Sequence, residues 1–353
     1  MQAFVYESRP VRVVFGAGSL EQLPDEVARF GARRALVLAT PGQRALAERA
    51  AALLGPLAAG IHAEAVMHVP AATAVAAREE AARLHADLYV AIGGGSTIGL
   101  AKAIALETGL PIVAVPTTYA GSEMTSIWGL TEGGVKRTGR DERVRPRTVL
   151  YDPALTLTLP PQIAGPSGMN AMAHCVEALY APDGNPVIAL MAEEGIRALA
   201  ASLPAVVRDP ADLEARGEAL YGAWLAGSAL ATATLGLHHK LCHTLGGSFN
   251  LPHAEVHTVI LPHAAAYNAA AAPQAMARAA RALGVANAPA GLFDLAAALG
   301  APTSLRALGM RESDLERAVE LATQSPYPNP APVTREGVRR LLDDAFHGRR
   351  PAA

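Results

Sequence analysis

Cysteine is nearly missing from this 353-residue chain. Only Cys175 and Cys242 occur, too few for a disulfide framework and without the spacing of zinc ligands, which fits a reducing compartment. Each thiol is expected as a small buried apolar residue rather than a nucleophile. Half of the residues are hydrophobic, yet no uncharged run reaches the length of a membrane span, because the alanine-rich tracts are broken by Pro, Asn or Arg. No membrane insertion is expected. The opening stretch MQAFVYESRP has no basic segment followed by an apolar one, so no secretory signal is read there and a cytoplasmic location is expected. A formal net charge of −2 argues against general nucleic-acid binding, which needs a basic face to displace phosphate counterions. No fixed-period repeat points to a solenoid.

The length exceeds one small core and suggests two domains. Residues 11–16 (VRVVFG) read as a strand ending in a turn at Gly16 and Gly18, followed by a short helix with Ser19 as N-cap and Gln22 as its capping-box partner. RRALVLAT, ending at Thr40, is a buried strand, with PGQRALAERAAALLG as the helix after it. AVMHVPA reads as a further strand, TAVAAREEAARLHA as a helix from Thr73, and DLYVAIGGGS and LPIVAVPTT as two more strands. Strands alternating with helices imply a parallel sheet covered on both faces, whose ligands bind at the carboxyl ends of the strands. The loops at those ends are the places to search.

One such loop is Gly93-Gly94-Gly95-Ser96-Thr97, which opens a helix containing Lys102. Glycines let backbone N–H groups approach an anion, and a helix N-terminus favours negative charge, so a phosphate or pyrophosphate suits it. It is neither a Walker loop nor the usual G-x-G-x-x-G after a first strand, and a tight strand-to-helix turn is the bland alternative. The neighbouring loop, Thr117-Thr118-Tyr119-Ala120-Gly121-Ser122-Glu123, offers hydroxyls and backbone donors. Gly94, Gly95, Ser96, Thr97, Lys102, Thr117, Thr118 and Ser122 are therefore the candidate cofactor contacts. Thr40 joins them, because an acid there would bind a ribose 2′-hydroxyl and repel a 2′-phosphate. Threonine is neutral, so both NADH and NADPH are expected to be accepted.

Between Trp128 and Leu150 the glycine turns and alternation of GLTEGGVKRTGRDERVRPRTVL predict an antiparallel hairpin. Lys136, Arg137, Arg140, Arg143, Arg145 and Arg147 make it basic. A solvated charged edge is the bland reading, and contact of one or two of them with a substrate carboxylate the functional one.

After Tyr151-Asp152-Pro153 helical patterning takes over, with Asp209-Pro210, Ser313 with Glu316, and Thr334 as helix starts. The expected domains are 1–155 and 156–353. The helical half holds the segment HHKLCHTLGGSFNLPHAEVHTVILPH, 238–263, with six of the eleven histidines. His239 and His243 stand one helical turn apart, and Gly246-Gly247 is expected to end that helix and let His253 return to the same place. Upstream, Asn170 and His174 share a helix face in SGMNAMAHCVEALYA. Asn170, His174, His239 and His253 form a four-membered set. An aspartate at 170 would make this a plausible Fe or Zn site; an amide oxygen is a poor ligand that brings no negative charge.

The blocks GGGSTIGLAKAIA, PTTYAGSEMT, LYDPALTLTLPP, SGMNAMAHCVEALYA and HHKLCHTLGGSFNLPHAEVHTVILPH resemble, in this order, the iron-containing alcohol dehydrogenase family. The resemblance implies an α/β N-terminal dinucleotide-binding domain with a parallel sheet and an all-α C-terminal domain, the dehydroquinate synthase-like architecture, with the site between them. It also implies that metal ligands of metal-dependent members fall at Asn170, His174, His239 and His253, with His243 close to the reacting centre. Asn170 and Gly99 depart from the usual pattern. Together with Tyr119 and HHKLCH, these departures are similar to a branch of the family that reduces an activated carbon–carbon double bond in aromatic-compound degradation.

On that reading NADH or NADPH reduces a double bond conjugated to a ketone, and imidazole or amide donors rather than a metal meet the enolate charge. His243 or His253 is expected as proton donor, with His239, His174 and Asn170 completing the catalytic group. Lys240, Tyr119 and the basic hairpin are expected to bind a small dicarboxylate substrate. No metal is expected. The nearest rival is a metal-dependent alcohol dehydrogenase of the same family, and a more distant one a dehydroquinate synthase-like lyase. A homodimer is expected, in which the strand AFVY could pair across the two-fold axis.

Overall fold

Four strands in the first half of the chain carry apolar residues on both faces, and this sets the architecture. The computed structural model describes Phe4, residues 11–133 and residues 135–352, without the side chains of Val135 and Lys136. The expected AFVY strand, apart from Phe4, and the Lys136 side chain lie outside the described residues. The chain divides into two compact units between Thr158 and Leu159, three residues beyond the expected boundary.

In the first unit the elements run β1 (Arg12–Phe15), α1 (Leu23–Ala28), β2 (Ala35–Leu38), α2 (Arg44–Leu54), β3 (Ala58–His62), α3 (Ala71–Arg83), β4 (Leu88–Gly93), α4 (Gly95–Thr108), β5 (Ile112–Pro116), β6 (Ile127–Glu132), β7 (Val135–Arg140) and β8 (Thr148–Tyr151). Six strands form a parallel sheet in the order β1-β8-β5-β4-β2-β3. Side chains alternate across it. Val37, Val90 and Ile92 pack with Ala47, Ala50 and Leu54 of α2, whereas Leu36, Leu38, Tyr89 and Ala91 pack with Ala77 of α3 and Ile98 and Ile104 of α4. Thus α2 and α4, which follow the adjacent strands β2 and β4, lie on opposite faces. This is the topological switch point at which such sheets leave a crevice for a ligand.

Three local expectations fail for physical reasons. The strand read at 65–71 is a loop, and the edge strand is instead β3. His68 and Val69 have φ of 65° and 47° there, a conformation a strand cannot contain and one that is costly for a β-branched residue. The loop is tied to the hairpin by Thr131, whose amide donates to Val69 O at 3.0 Å and whose hydroxyl donates to His68 O at 2.7 Å. Ser19 caps nothing: Gly18, at φ 80°, precedes a 3-10 turn, and the Asp152 carboxylate accepts from Gly18 N and Leu20 N at 3.0 and 3.1 Å. The hairpin is confined to β6 and β7, while Thr148–Tyr151 joins the main sheet as β8.

The second unit is helical: α5 (Pro161–Ala178), α6 (Pro186–Arg208), α7 (Leu213–Thr232), α8 (Leu237–Phe249), α9 (His253–Asn268), α10 (Pro273–Leu283), α11 (Ala288–Ala298), α12 (Leu315–Thr323) and α13 (Arg335–His347). Helix α5 is buried along nearly all of its length from Ala164 on. Helices α6 and α7 meet backbone to backbone at Gly195 and Gly222, where a Cβ on Gly222 would stand 3.2 Å from Gly195 O. A second core joins α8, α9, α12 and α13 through Leu241, Leu245, Ile260, Val319 and Leu342.

The N-cap of α7 is Asp212, which accepts from Ala215 N at 2.9 Å, and not Asp209, which turns back on Ala211 N. Neither Ser313 nor Glu316 forms the capping box read there, since α12 begins at Leu315 with no side-chain cap. Thr334 does cap α13, through Gly337 N at 3.1 Å. Among the described residues no single helix is long and apolar enough to cross a membrane.

Candidate active site

At the switch point of the first unit, α4 starts at Gly95 directly after β4, so its first amides have no intrahelical acceptor. A Cβ on Gly93 would sit 2.5 Å from Thr97 Oγ1 and 2.6 Å from Gln43 Oε1, and one on Gly94 would sit 3.0 Å from Thr118 Cγ2. Glycine is required at 93, where φ is 151°. The cradle of bare backbone at the N-terminus of a 14-residue helix fits a pyrophosphate. Gly94, Gly95, Ser96, Thr97, Thr117 and Thr118 are brought together around it.

Gln43, which the sequence reading missed, bridges this crevice. Its amide Nε2 donates to Thr117 Oγ1 at 2.7 Å, and Oε1 accepts from Thr40 Oγ1 at 3.3 Å. The signal was its place three residues after Thr40, at the end of a strand beside the switch point. Lys102 is placed differently from expectation. Its ammonium is fully buried and bonds Ser122 O, Ser122 Oγ, Thr125 Oγ1 and Ile127 O at 2.6, 3.1, 2.9 and 2.9 Å. Burial pulls its pKa down to about 7, against the charge of Glu123. It therefore fixes the 122–127 segment. Tyr119 is fully buried in the same loop, and Tyr151 donates to the buried Glu123 at 2.8 Å.

Of the basic residues read into the hairpin three are seen paired, and of these only Arg137 lies in β7. Arg137 faces Glu132, Arg143 holds Asp141, and the buried Arg145 holds Glu142 and Met124 O. These contacts favour the structural reading for those three side chains.

In the second unit, α5 places Asn170, His174 and Glu177 on one face at i, i+4 and i+7. Helix α8 brings His238, His239, Lys240, Cys242 and His243, and α9 opens with His253 and carries His257 one turn on. The helix does not end at Gly246-Gly247. It continues to Phe249, and Asn250, at φ 53°, makes the left-handed turn that leads to α9. The rings converge: His174 and His239 stack with centroids 5.1 Å apart, His239 and His243 lie at 6.0 Å, His239 and His257 at 4.9 Å, and His253 and His257 at 4.5 Å.

Glu177, also missed, organises this group. One carboxylate oxygen accepts from His239 Nδ1 at 2.6 Å and Gly236 N at 3.1 Å, and the other from His238 N at 3.0 Å. It thereby caps α8, which has no side-chain cap of its own. Because a carboxylate can only accept, His239 donates to it from Nδ1, which leaves Nε2 as the ring nitrogen facing away from Glu177. His239 Nε2, His174 Nδ1 and Asn170 Oδ1 are buried without a hydrogen-bond partner among the described residues. Unmatched buried polar atoms side by side mark a place built for a ligand.

Burial, reinforced by the neighbouring imidazoles, holds His174, His238 and His257 well below the usual histidine range. They are neutral at physiological pH, whereas His243 is exposed and His253 half-buried. His238, Cys242 and His257 also present ligand atoms within 4.8 Å of one another. His238 Nε2 and His257 Nδ1 are hydrogen-bonded at 2.9 Å, however, and burial pushes the Cys242 thiol up, so this trio is an internal network.

A glycine cradle at a switch point and a histidine group on buried helices define a class, and sequence comparison identifies it. Residues 10–153 match the model of iron-containing alcohol dehydrogenase, and residues 165–346 that of the Fe-containing alcohol dehydrogenase family, C-terminal. The chain belongs to the iron-containing alcohol dehydrogenase family and is an oxidoreductase. Within that family it is similar to the maleylacetate reductases. It is 62% identical to that of Burkholderia cepacia over 352 residues, covering 100% of both chains, and 57% identical to that of Sphingobium indicum, covering 99% of both. The crystal structure of maleylacetate reductase from Agrobacterium tumefaciens superposes with a TM-score of 0.97 at 53% identity, over 99% of this chain and 100% of that one.

Proposed function

We propose that the chain reduces the carbon–carbon double bond of maleylacetate to give 3-oxoadipate, with NADH or NADPH as reductant and without a bound metal. The observation that carries this reading is the full-length similarity to maleylacetate reductases, at 62% and 57% identity. The site chemistry supports it. When bound, the nicotinamide supplies a hydride; Gly94, Gly95, Ser96, Thr97, Thr117, Thr118 and Thr40 would hold its phosphates and ribose. Lys102 and Ser122 would act by fixing the loop beside them. A neutral Thr40 leaves room for either cofactor.

The double bond of the substrate is conjugated to a ketone, so its reduction at the β carbon builds negative charge on the ketone oxygen. Neutral donors and a nearby cation can meet that charge without a Lewis acid. Asn170 and the imidazoles His174 and His239 line the place where it would form, and His243 or His253 would return the proton to the adjacent carbon. Lys240 is proposed to bind the substrate, and Tyr119, fully buried in the first unit, to shape the loop that carries it.

The donor set does not fit a catalytic dication. Asn170 contributes an uncharged oxygen where an acidic ligand would be wanted, and the acid beside the set, Glu177, is already held by three N–H donors. The test is a comparison of substrates. The protein should oxidise NADH or NADPH with maleylacetate far faster than it reduces NAD+ with simple primary alcohols, and the opposite preference would contradict the reading.

A further inference from the structure

Tyr327 lies in the segment between α12 and α13, and its ring packs on the core of α8, α9, α12 and α13. Its hydroxyl is buried and has no hydrogen-bond partner among the described residues. Buried phenols nearly always have one. The hydroxyl is not needed to place the loop. Two residues on, Asn329 does that, accepting from Leu237 N at 3.3 Å and pairing amide to amide with Asn268 at 3.0 and 2.7 Å. Beside the ring stands Lys240, its ammonium 6.0 Å from the centroid, with no carboxylate of the described residues at ion-pair distance.

Lys240 follows His239 directly on α8, and Glu177, the partner of His239, is close enough to help raise the Tyr327 phenol, after burial and Tyr267. The hydroxyl thus stays a proton donor. Glu177 does not repel an anion there unopposed, since His239 Nδ1 and the amides of Gly236 and His238 face its charge.

We propose that the Tyr327 hydroxyl and the Lys240 ammonium together form the subsite for one carboxylate of the substrate. This deepens, and rests on, the dicarboxylate reading above. An O–H donor and a mobile ammonium complement a carboxylate through charge-assisted hydrogen bonds. Of the two, Tyr327 is a specificity-determining residue that neither motif nor spacing revealed.

The experiment compares wild type, Tyr327→Phe, Lys240→Met and the double variant. Wild-type turnover of maleylacetate is measured first and tests the functional reading alone. Given that turnover, Y327F should raise KM for maleylacetate about tenfold or more, with kcat within threefold and KM for NADH unchanged. K240M should act in the same direction, and the double variant should lose less than the product of the two single losses, because both hold one group. Phenylalanine keeps the ring, so the melting temperature of Y327F should equal or exceed that of the wild type. Adipate binding by calorimetry gives a readout independent of turnover, and Y327F should weaken it by a similar factor. A KM and an adipate affinity within twofold of wild type would overturn the proposal, as would a fall in melting temperature with KM unchanged.

Discussion

Glu177 and His239 are joined by a 2.6 Å hydrogen bond from the imidazole Nδ1 to a carboxylate oxygen, both side chains being buried. The bond fixes which ring nitrogen of His239 faces Glu177 and leaves Nε2 buried without a partner among the described residues. One acid thus orients the imidazole and caps the helix that carries it.

Replacing that acid separates the two effects. Glu177→Gln keeps an oxygen that can accept from the amides of α8 but removes the charge that holds His239. Its kcat should fall about 10- to 100-fold with little change in KM for NADH. Glu177→Ala leaves buried donors unmatched, each costing about 1–3 kcal/mol, and should lower the melting temperature as well. Steady-state kinetics beside thermal denaturation checks this; a fully active E177Q would show that orientation of His239 is unimportant.

Asn170→Asp supplies the missing negative ligand among His174, His239 and His253. The variant should retain Zn2+ or Fe2+ through gel filtration where the native protein retains much less, measured as metal per chain by elemental analysis. Equal retention by both proteins would mean that residue 170 does not decide metal affinity.

Gln43 ties Thr40 to Thr117 across the switch point. Gln43→Leu removes the bridge, and KM for NADH should rise about 5- to 10-fold, the worth of one net hydrogen bond, with KM for maleylacetate nearly unchanged. No change in cofactor affinity would show the bridge to be incidental.

These two residues also show where the sequence was legible. β2, β4 and β5 read as strands because both of their faces are apolar, and the glycine loop, Asn170, His174 and His239 stood out through composition and helical spacing. Glu177 and Gln43 act through partners 62 and 74 positions away, and no local pattern encodes such a pairing. The same holds for Asp152, which caps a turn 132 to 134 residues before it and displaces the capping box read at Ser19. β3 was misplaced because it is an edge strand of small residues, whereas the more apolar 65–71 stretch is bent by His68 and Val69. The α8 helix outran its glycine pair because Gly246 is packed inside the bundle.

The buried histidines make stability pH-dependent. Burial lowers His263 from 6.5 to about 4, with Asp344 opposing. Its folded pKa lies below its unfolded one, so between those values the unfolded chain binds the extra proton. Stability should be complete above pH 6.5 and fall as pH drops toward 4, by about 3 kcal/mol for this residue. His174, His238 and His257 are shifted the same way and steepen the loss. Denaturant melts from pH 7.5 to 4.5 measure it. His263→Leu should flatten the slope, and an unchanged slope would mean that His263 titrates normally in the fold.

The site is proposed to reduce an activated alkene with histidine and amide groups and without a metal. This is tested most directly by following NADH oxidation with maleylacetate before and after exhaustive chelation, with metal content assayed in parallel. Turnover should be unchanged when less than a few per cent of chains carry metal. Loss of activity on chelation, restored by Fe2+ or Zn2+, would contradict it.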